Sequence, residues 1–249
     1  MVTNKEIVED EGIVIDISKY SESSALLMIL TSDGLKSFYL NGVYKLKSNL
    51  KSCLLIGNII KFETHKAESK IKSIINSKVV FDISYCYFDY KKAMLISYIV
   101  YMLKYTKMEN DKLFIGEFEF YKMIISAISN HNLNNIMLCF LAKLIEYSGY
   151  KPHLDSCYIC NRKDNIVYFD INNGFMCKDC FNKNDIDYNP FSKNDLYVIK
   201  YAFSNINEDR LDALTPKDSL IKMIMLFDDF ITLTFDFKKY EQLSSLLYK

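Results

Sequence analysis

The sequence predicts an α+β protein: a small β-barrel lobe, then a helical lobe interrupted by a four-cysteine insert. Three observations carry this prediction. Short apolar, β-branched runs separated by turn residues fill the first 80 positions. From about residue 85 the apolar residues recur at helical spacing instead. Four of the seven cysteines fall into two C-x2-C pairs, beginning at Cys157 and Cys177.

In chain order, Gly12-Ile-Val-Ile-Asp-Ile17 is the first strand, and Ser24-Ala-Leu-Leu-Met-Ile-Leu-Thr31 the second. Ser32-Asp33-Gly34 is hairpin-turn chemistry, leading to a third strand over Leu35–Leu40 that Asn41-Gly42 ends. Leu54–Thr64 and Lys70–Ile75 are two more strands, joined by the polar His65–Ser69. Five short strands favour closure, because an open sheet leaves edges that a barrel removes. An OB-fold is one candidate for that barrel and an SH3-like barrel another.

Helices are expected over Lys91–Lys107, Phe118–Ile128 and Leu133–Tyr147. Asn132 can cap the third, and Gly149, with Pro152 after it, ends it in the left-handed conformation. Ser192 and Asp195 form a capping-box pattern opening a helix through Phe203. Thr215 and Pro216 suit the N-cap and first position of a last helix through Leu233. Between these, about 151–189 reads as loop-rich.

The chain has 249 residues, 50% of them hydrophobic, with 31 basic against 31 acidic, which suggests one or two domains with real cores. Zero formal charge excludes a protein that is basic throughout, though not a local basic patch. Only Arg162 and Arg210 are arginine, so an anion-binding surface must be built from lysines. The acidic start has no apolar core of a signal peptide. The most apolar run, Ala93–Leu103, is half a membrane span and reads as a buried helix. A soluble, cytoplasmic protein with reduced cysteines is expected.

Cys157, Cys160, Cys177 and Cys180 have the spacing of a zinc site, each C-x2-C turn directing two sulfurs to one ion. Four thiolates leave no open coordination position, so such a zinc is structural and folds an insert with few large apolar residues. The filled site carries −2, which Arg162, Lys163 and Lys178 can offset. Two redox C-x-x-C pairs, or unrelated cysteines, are the alternative. Cys53, Cys86 and Cys139 read as buried thiols, and His65, His131 and His153 as ordinary histidines. No G-x-S-x-G, phosphate-binding glycine loop or H-E-x-x-H is present, so no enzyme is expected. The acid pair Asp228-Asp229 reads as a solvated face.

Charge is divided within the β lobe. Residues 1–35 hold two lysines against seven acids, a net of −5, and residues 36–78 hold nine lysines against two acids, +7. Lys36, Lys45, Lys47 and Lys51, with Tyr39 and Tyr44 as stacking faces, are the candidate contacts to DNA. The alternative is that these lysines are merely solvated.

Three stretches resemble the RecO family (recombination protein O) of bacterial DNA repair proteins. Glu11-Gly-Ile-Val-Ile15 with Tyr20-Ser-Glu22-Ser and Leu26–Thr31 is similar to the family's opening strands and Y-x-E-x turn. Gly42-Val-Tyr-Lys45-Leu-Lys47-Ser48 resembles its glycine-plus-basic segment. Gly149-Tyr150-Lys-Pro152-His-Leu154-Asp155-Ser-Cys157-Tyr-Ile-Cys160, then Phe169–Cys180, resembles its helix end and two knuckles. The basic segment departs from the family, which tends to carry several arginines where this chain has lysines and Leu46. The resemblance implies an N-terminal OB-fold over 1–80, a helical domain over 81–249, and a zinc module at about 151–189. It also implies a non-enzymatic recombination mediator that binds single- and double-stranded DNA and anneals complementary strands. Its implied partners are RecR and single-strand DNA-binding protein, with RecA loaded as the outcome.

Overall fold

The computed structural model describes residues 6–66, 71–107, 112–184, 189–204, 206–213 and 217–240. The first strand, β1 (Ile7–Lys19), is longer than its β-branched centre and serves two neighbours. Its second half pairs antiparallel with β2 (Ala25–Thr31), and its first half with β4 (Ile59–His65). Gly12 sits where the two ladders overlap, opposite both Thr31 and Ile60. A Cβ there would run into the Ile29 side chain and stand 2.8 Å from the Leu30 carbonyl oxygen, so only glycine lets the strand bend through. A register shift between Val14 and Asp16 adds to the bend.

β3 (Gly34–Leu40) pairs with β2 through the expected tight turn, Thr31 facing Gly34. β5 (Lys72–Phe81) pairs antiparallel with β4 and meets β3 in parallel at Phe38–Lys72 and Tyr39–Ser73. That short parallel contact closes the sheet into a barrel of order β1-β2-β3-β5-β4. Val14, Leu27, Ile29, Phe38, Leu40, Ile60, Phe62 and Ile74 fill it. Phe38 and Phe62 meet edge to face at 4.8 Å. Each such side chain contributes about 1.5–3 kcal/mol by leaving water.

The apolar run that is too short to span a membrane is indeed a buried helix. In α1 (Tyr90–Thr106), Met94, Leu95, Ile96, Tyr98, Ile99, Val100, Met102 and Leu103 are all buried. Asp89 caps it, accepting from the Lys91 and Lys92 backbone N–H groups. α2 (Glu117–Ala127) follows. Lys104 of α1 pairs with Asp16 at 2.7 Å and Lys122 of α2 with Glu11 at 2.6 Å. By packing, the chain divides into two compact units, Met1–Ser129 and Asn130–Lys249, so both helices belong with the barrel. The change from strand to helix near residue 80 lies inside the first unit.

In the second unit, α3 (Leu133–Tyr147) is buried along most of its length. Asn132 caps it as expected, and Gly149 has φ +89° beyond its end. A hairpin of β6 (Ile166–Asp170) and β7 (Gly174–Cys177) and a short α4 (Lys178–Lys183) occupy the segment that reads as loop-rich. α5 (Lys193–Ala202) opens on the Ser192–Asp195 capping box. α6 (Lys217–Thr234) packs along α3 and α5. Its expected cap, Thr215-Pro216, lies outside the described residues, as does Lys70. Among the described residues, no helix is long and apolar enough to cross a membrane.

Candidate metal centre and basic loop

Each cysteine pair is set by a backbone turn. In the first knuckle the Cys157 N–H donates to the Arg162 carbonyl at 2.7 Å, and the Asn161 N–H to the Cys157 carbonyl at 2.8 Å. Asn161 takes the left-handed φ of +59° that reverses the chain. The second knuckle lies where β7 meets α4: Cys177 ends the strand and Cys180 is in the helix's first turn. The two are brought together by Tyr158 N–H donating to Phe175 O at 2.8 Å and Lys178 N–H to Asn165 O at 2.9 Å.

The result is four sulfurs within 4.8 Å of one another, three on buried residues and only Cys160 exposed. Cys160 Sγ and Cys177 Sγ are 3.6 Å apart. Four thiolates at ~2.3 Å from a central ion would stand about 3.8 Å from each other, so the donor set fits a tetrahedral thiophilic cation such as Zn2+. Burial opposes ionisation at Cys157, but the N–H groups of Cys177, Cys160 and Ile159 and the Cys160 thiol outweigh it and bring it down to about 6. Burial, then hydrogen bonds to the other three thiols, push Cys180 up. The backbone N–H groups thus favour the thiolate form of Cys157, the form in which a cysteine ligates metal.

Arg162 is ion-paired with Asp179, and the Cys177 sulfur adds to the attraction on its guanidinium. One reading of this segment needs correction. The insert is less apolar-poor than it reads: Tyr168 packs on Phe181 (5.3 Å) and Phe191 (5.8 Å), and Phe169 on Phe175 (6.0 Å) and Phe191 (6.3 Å). His153 is not a ligand; its Nε2 is 2.7 Å from Ser156 Oγ, and its backbone bridges to Gly174.

The basic residues lie at the end of the barrel where β3 leaves it. Val43 and Leu50 are buried in the barrel core, pinning both ends of the loop between them. Turns with Lys45 N–H on Gly42 O and Ser48 N–H on Lys45 O, both 3.1 Å, fold the segment, and Lys51 Nζ donates to Leu46 O at 3.0 Å. Tyr44, Lys45, Lys47 and Lys51 are exposed, and the Tyr44 N–H reaches Ser23 O at 3.2 Å, tying the loop to the β1–β2 turn. Tyr39 is half-buried, its ring edge-on to the exposed Tyr20 at 5.4 Å.

Lys36 stands apart from this group. Its Nζ is 2.9 Å from Asp33 and 3.9 Å from Asp10, and the Asp33 carboxyl is held below its ordinary range chiefly by that lysine. Lys61 and Lys66 similarly face Glu11 (3.8 Å) and Glu6 (2.7 Å). Glu6, Asp10, Glu11 and Asp33 therefore face three of the nine lysines of the basic stretch.

Elsewhere, Asp228 is fully buried on α6, not on a solvated face as its pairing with exposed Asp229 suggests. His131 is also more than an unpartnered histidine, lying 2.9 Å from Asp212 and 3.5 Å from Glu208. Cys53, Cys86 and Cys139 are buried thiols, and burial pushes Cys139 up to about 12.

Comparison with known proteins accounts for both halves of the chain. A family described as "Recombination protein O N terminal" matches residues 5–81, and "Recombination protein O C terminal" matches residues 87–232. A DNA repair protein RecO of Caldanaerobacter subterraneus is 37% identical over 98 residues, 37% of this chain and 38% of that protein. One from Syntrophomonas wolfei is 25% identical over 70% of each chain. One from Clostridium perfringens is 23% identical over 97% of this chain and 98% of its own.

Proposed function

The chain belongs to the recombination protein O family, and on that premise we propose that it is a non-enzymatic recombination mediator gripping DNA through the loop at Lys45, Lys47 and Lys51. The barrel is read as an OB-fold, with Tyr39 and Tyr44 offering rings to bases and Lys36 a secondary contact. The observation that carries this reading is the loop itself: three exposed lysines on one short, doubly anchored segment, with Tyr44 exposed among them and Tyr39 half-buried on the adjoining strand. Lysine supplies phosphate contact as a point charge without arginine's bidentate grip, so affinity for single- and double-stranded DNA should be modest and salt-sensitive.

In this reading the mediator acts in the cytoplasm, anneals complementary strands and works with RecR to load RecA onto strands coated by single-strand DNA-binding protein. Cys157, Cys160, Cys177 and Cys180 hold one structural Zn2+, which supplies a cross-link between the two knuckles. Metal analysis should return about one zinc per chain.

Fluorescence anisotropy with a single-stranded oligonucleotide tests the grip. Three neutralised phosphates give a log–log salt slope of about −2, hence about 15-fold weaker binding at 200 mM than at 50 mM salt. Lys45→Glu, Lys47→Glu and Lys51→Glu together should abolish it. Flat, weak binding at low salt would instead favour a second reading, a protein–protein adaptor with incidental DNA contact. That second reading draws on the pairing of Lys36, Lys61 and Lys66 with acids.

A further inference from the structure

We propose that Leu46 is a base wedge: with the loop lysines on phosphates, its side chain enters between two neighbouring bases of a bound strand and unstacks them. The proposal rests on the DNA-binding reading of the loop and assigns that loop a second, apolar task.

Leu46 is 94% exposed, in a chain whose other leucines in the barrel unit are largely buried. The exposure is imposed by the fold around it. Val43 at 0% and Leu50 at 8% exposure fix the loop's two ends in the barrel core. Two consecutive turns, Gly42–Lys45 and Lys45–Ser48, fold the segment, and Leu46 is the second residue of the latter. The Lys51 ammonium takes the Leu46 carbonyl at 3.0 Å, so the backbone at the tip is bonded inward while the isobutyl group points out. Lys45 and Lys47 flank it directly. An apolar side chain presented between cations on a held backbone is how minor-groove and architectural proteins part base steps. Lysines alone would hold a strand without disturbing its stacking. The leucine adds the disturbance, and an unstacked strand is the form in which bases are free to find complements.

The experiment uses the full-length, metal-loaded protein and single-stranded oligonucleotides carrying one 2-aminopurine, whose fluorescence rises when it loses its stacking neighbours. The parent protein should produce a saturable rise. Leu46→Ala should bind about three- to tenfold more weakly and lose the rise, while Leu46→Met keeps it. Lys45→Ala with Lys47→Ala should weaken binding and flatten its salt dependence, yet leave the rise intact at saturation. At a solvent-exposed tip these variants should melt with the parent. Leu46→Ala with parental affinity and a full rise overturns the wedge and leaves DNA binding standing. No binding by the parent protein at low salt overturns both.

Discussion

Gly174 shows what a single residue contributes to the metal centre beyond its ligands. It has φ +121°, and a Cβ there would collide with the backbone of His153, whose chain runs against it. That approach carries the Phe175 N–H bond to His153 O at 2.9 Å and positions the strand that ends at Cys177. Gly174→Ala should therefore cost about 2–3 kcal/mol, from strain and from steric conflict. It should also accelerate loss of metal to a chelator in excess. An unchanged melt and an unchanged release rate would show that the strands need not meet so closely. The four cysteines were legible from the sequence because ligand spacing is local and chemically exacting. Gly174 was visible only as part of a resembling motif, and His153 only as an ordinary histidine, because their contact joins segments far apart in sequence, on either side of the first knuckle. The Arg162–Asp179 pair was hidden for the same reason.

At the scale of elements, signals lying within a few residues could be read directly. Ser32-Asp33-Gly34 makes its hairpin, Asn132 and Ser192 cap their helices, and Leu133–Tyr147 runs as its periodicity dictates. What could not be read was structure conferred by a partner. The acidic start of β1 is a strand because β4 pairs with it, and β6 and β7 are too short to show their own alternation. The start of α2 is another case. Glu117, 1% exposed, pairs with Lys107 and accepts from Tyr121 OH at 2.7 Å and the Phe114 N–H at 2.9 Å. Its first-turn position is ordinary in sequence, but its burial makes it a clamp on the approach to the helix. Glu117→Ala strands the Lys107 ammonium and should cost about 3–5 kcal/mol, whereas Glu117→Leu with Lys107→Met should recover the part due to that charge but not the lost acceptor of Tyr121 OH and Phe114 N–H. Urea midpoints of the three proteins measure it. A single variant within about 1 kcal/mol of the parent would mean that water compensates the lysine.

Across the whole molecule, the balance of 31 basic and 31 acidic residues is assembled from local cancellations. In the barrel unit, acids of β1 meet Lys61, Lys104 and Lys122, and Glu6, just before that strand, meets Lys66. In the helical unit, Glu146 lies between Lys143 (2.6 Å) and Lys151 (2.5 Å), Asp195 meets Lys222 at 2.8 Å, and Asp212 accepts from the Asn132 N–H at 2.7 Å. Such pairing links stability to pH. Burial would raise the Glu146 carboxyl, but hydrogen bonds and attraction from Lys143 and Lys151 outweigh it and hold the group below its ordinary value. Asp195 is lowered in the same way by Lys222, and Asp212 chiefly by the Asn132 N–H. A carboxyl depressed in the folded state stabilises it fully above the unfolded value, ~4.3 for Glu, and loses that contribution as pH falls through the folded value. For Glu146, partly open to solvent, the contribution should be about 1 kcal/mol. Glu146→Gln removes the titration while keeping the shape. The stability gap between parent and variant should hold constant from pH 7 down to about 4.5 and then close as the parent's carboxyl takes up its proton. Urea denaturation at half-unit intervals of pH reads that gap. If it stayed the same width at pH 3, the two lysines would not be what sets the Glu146 charge, and the helical unit's share of the charge balance would have to be sought at Asp195 and Asp212.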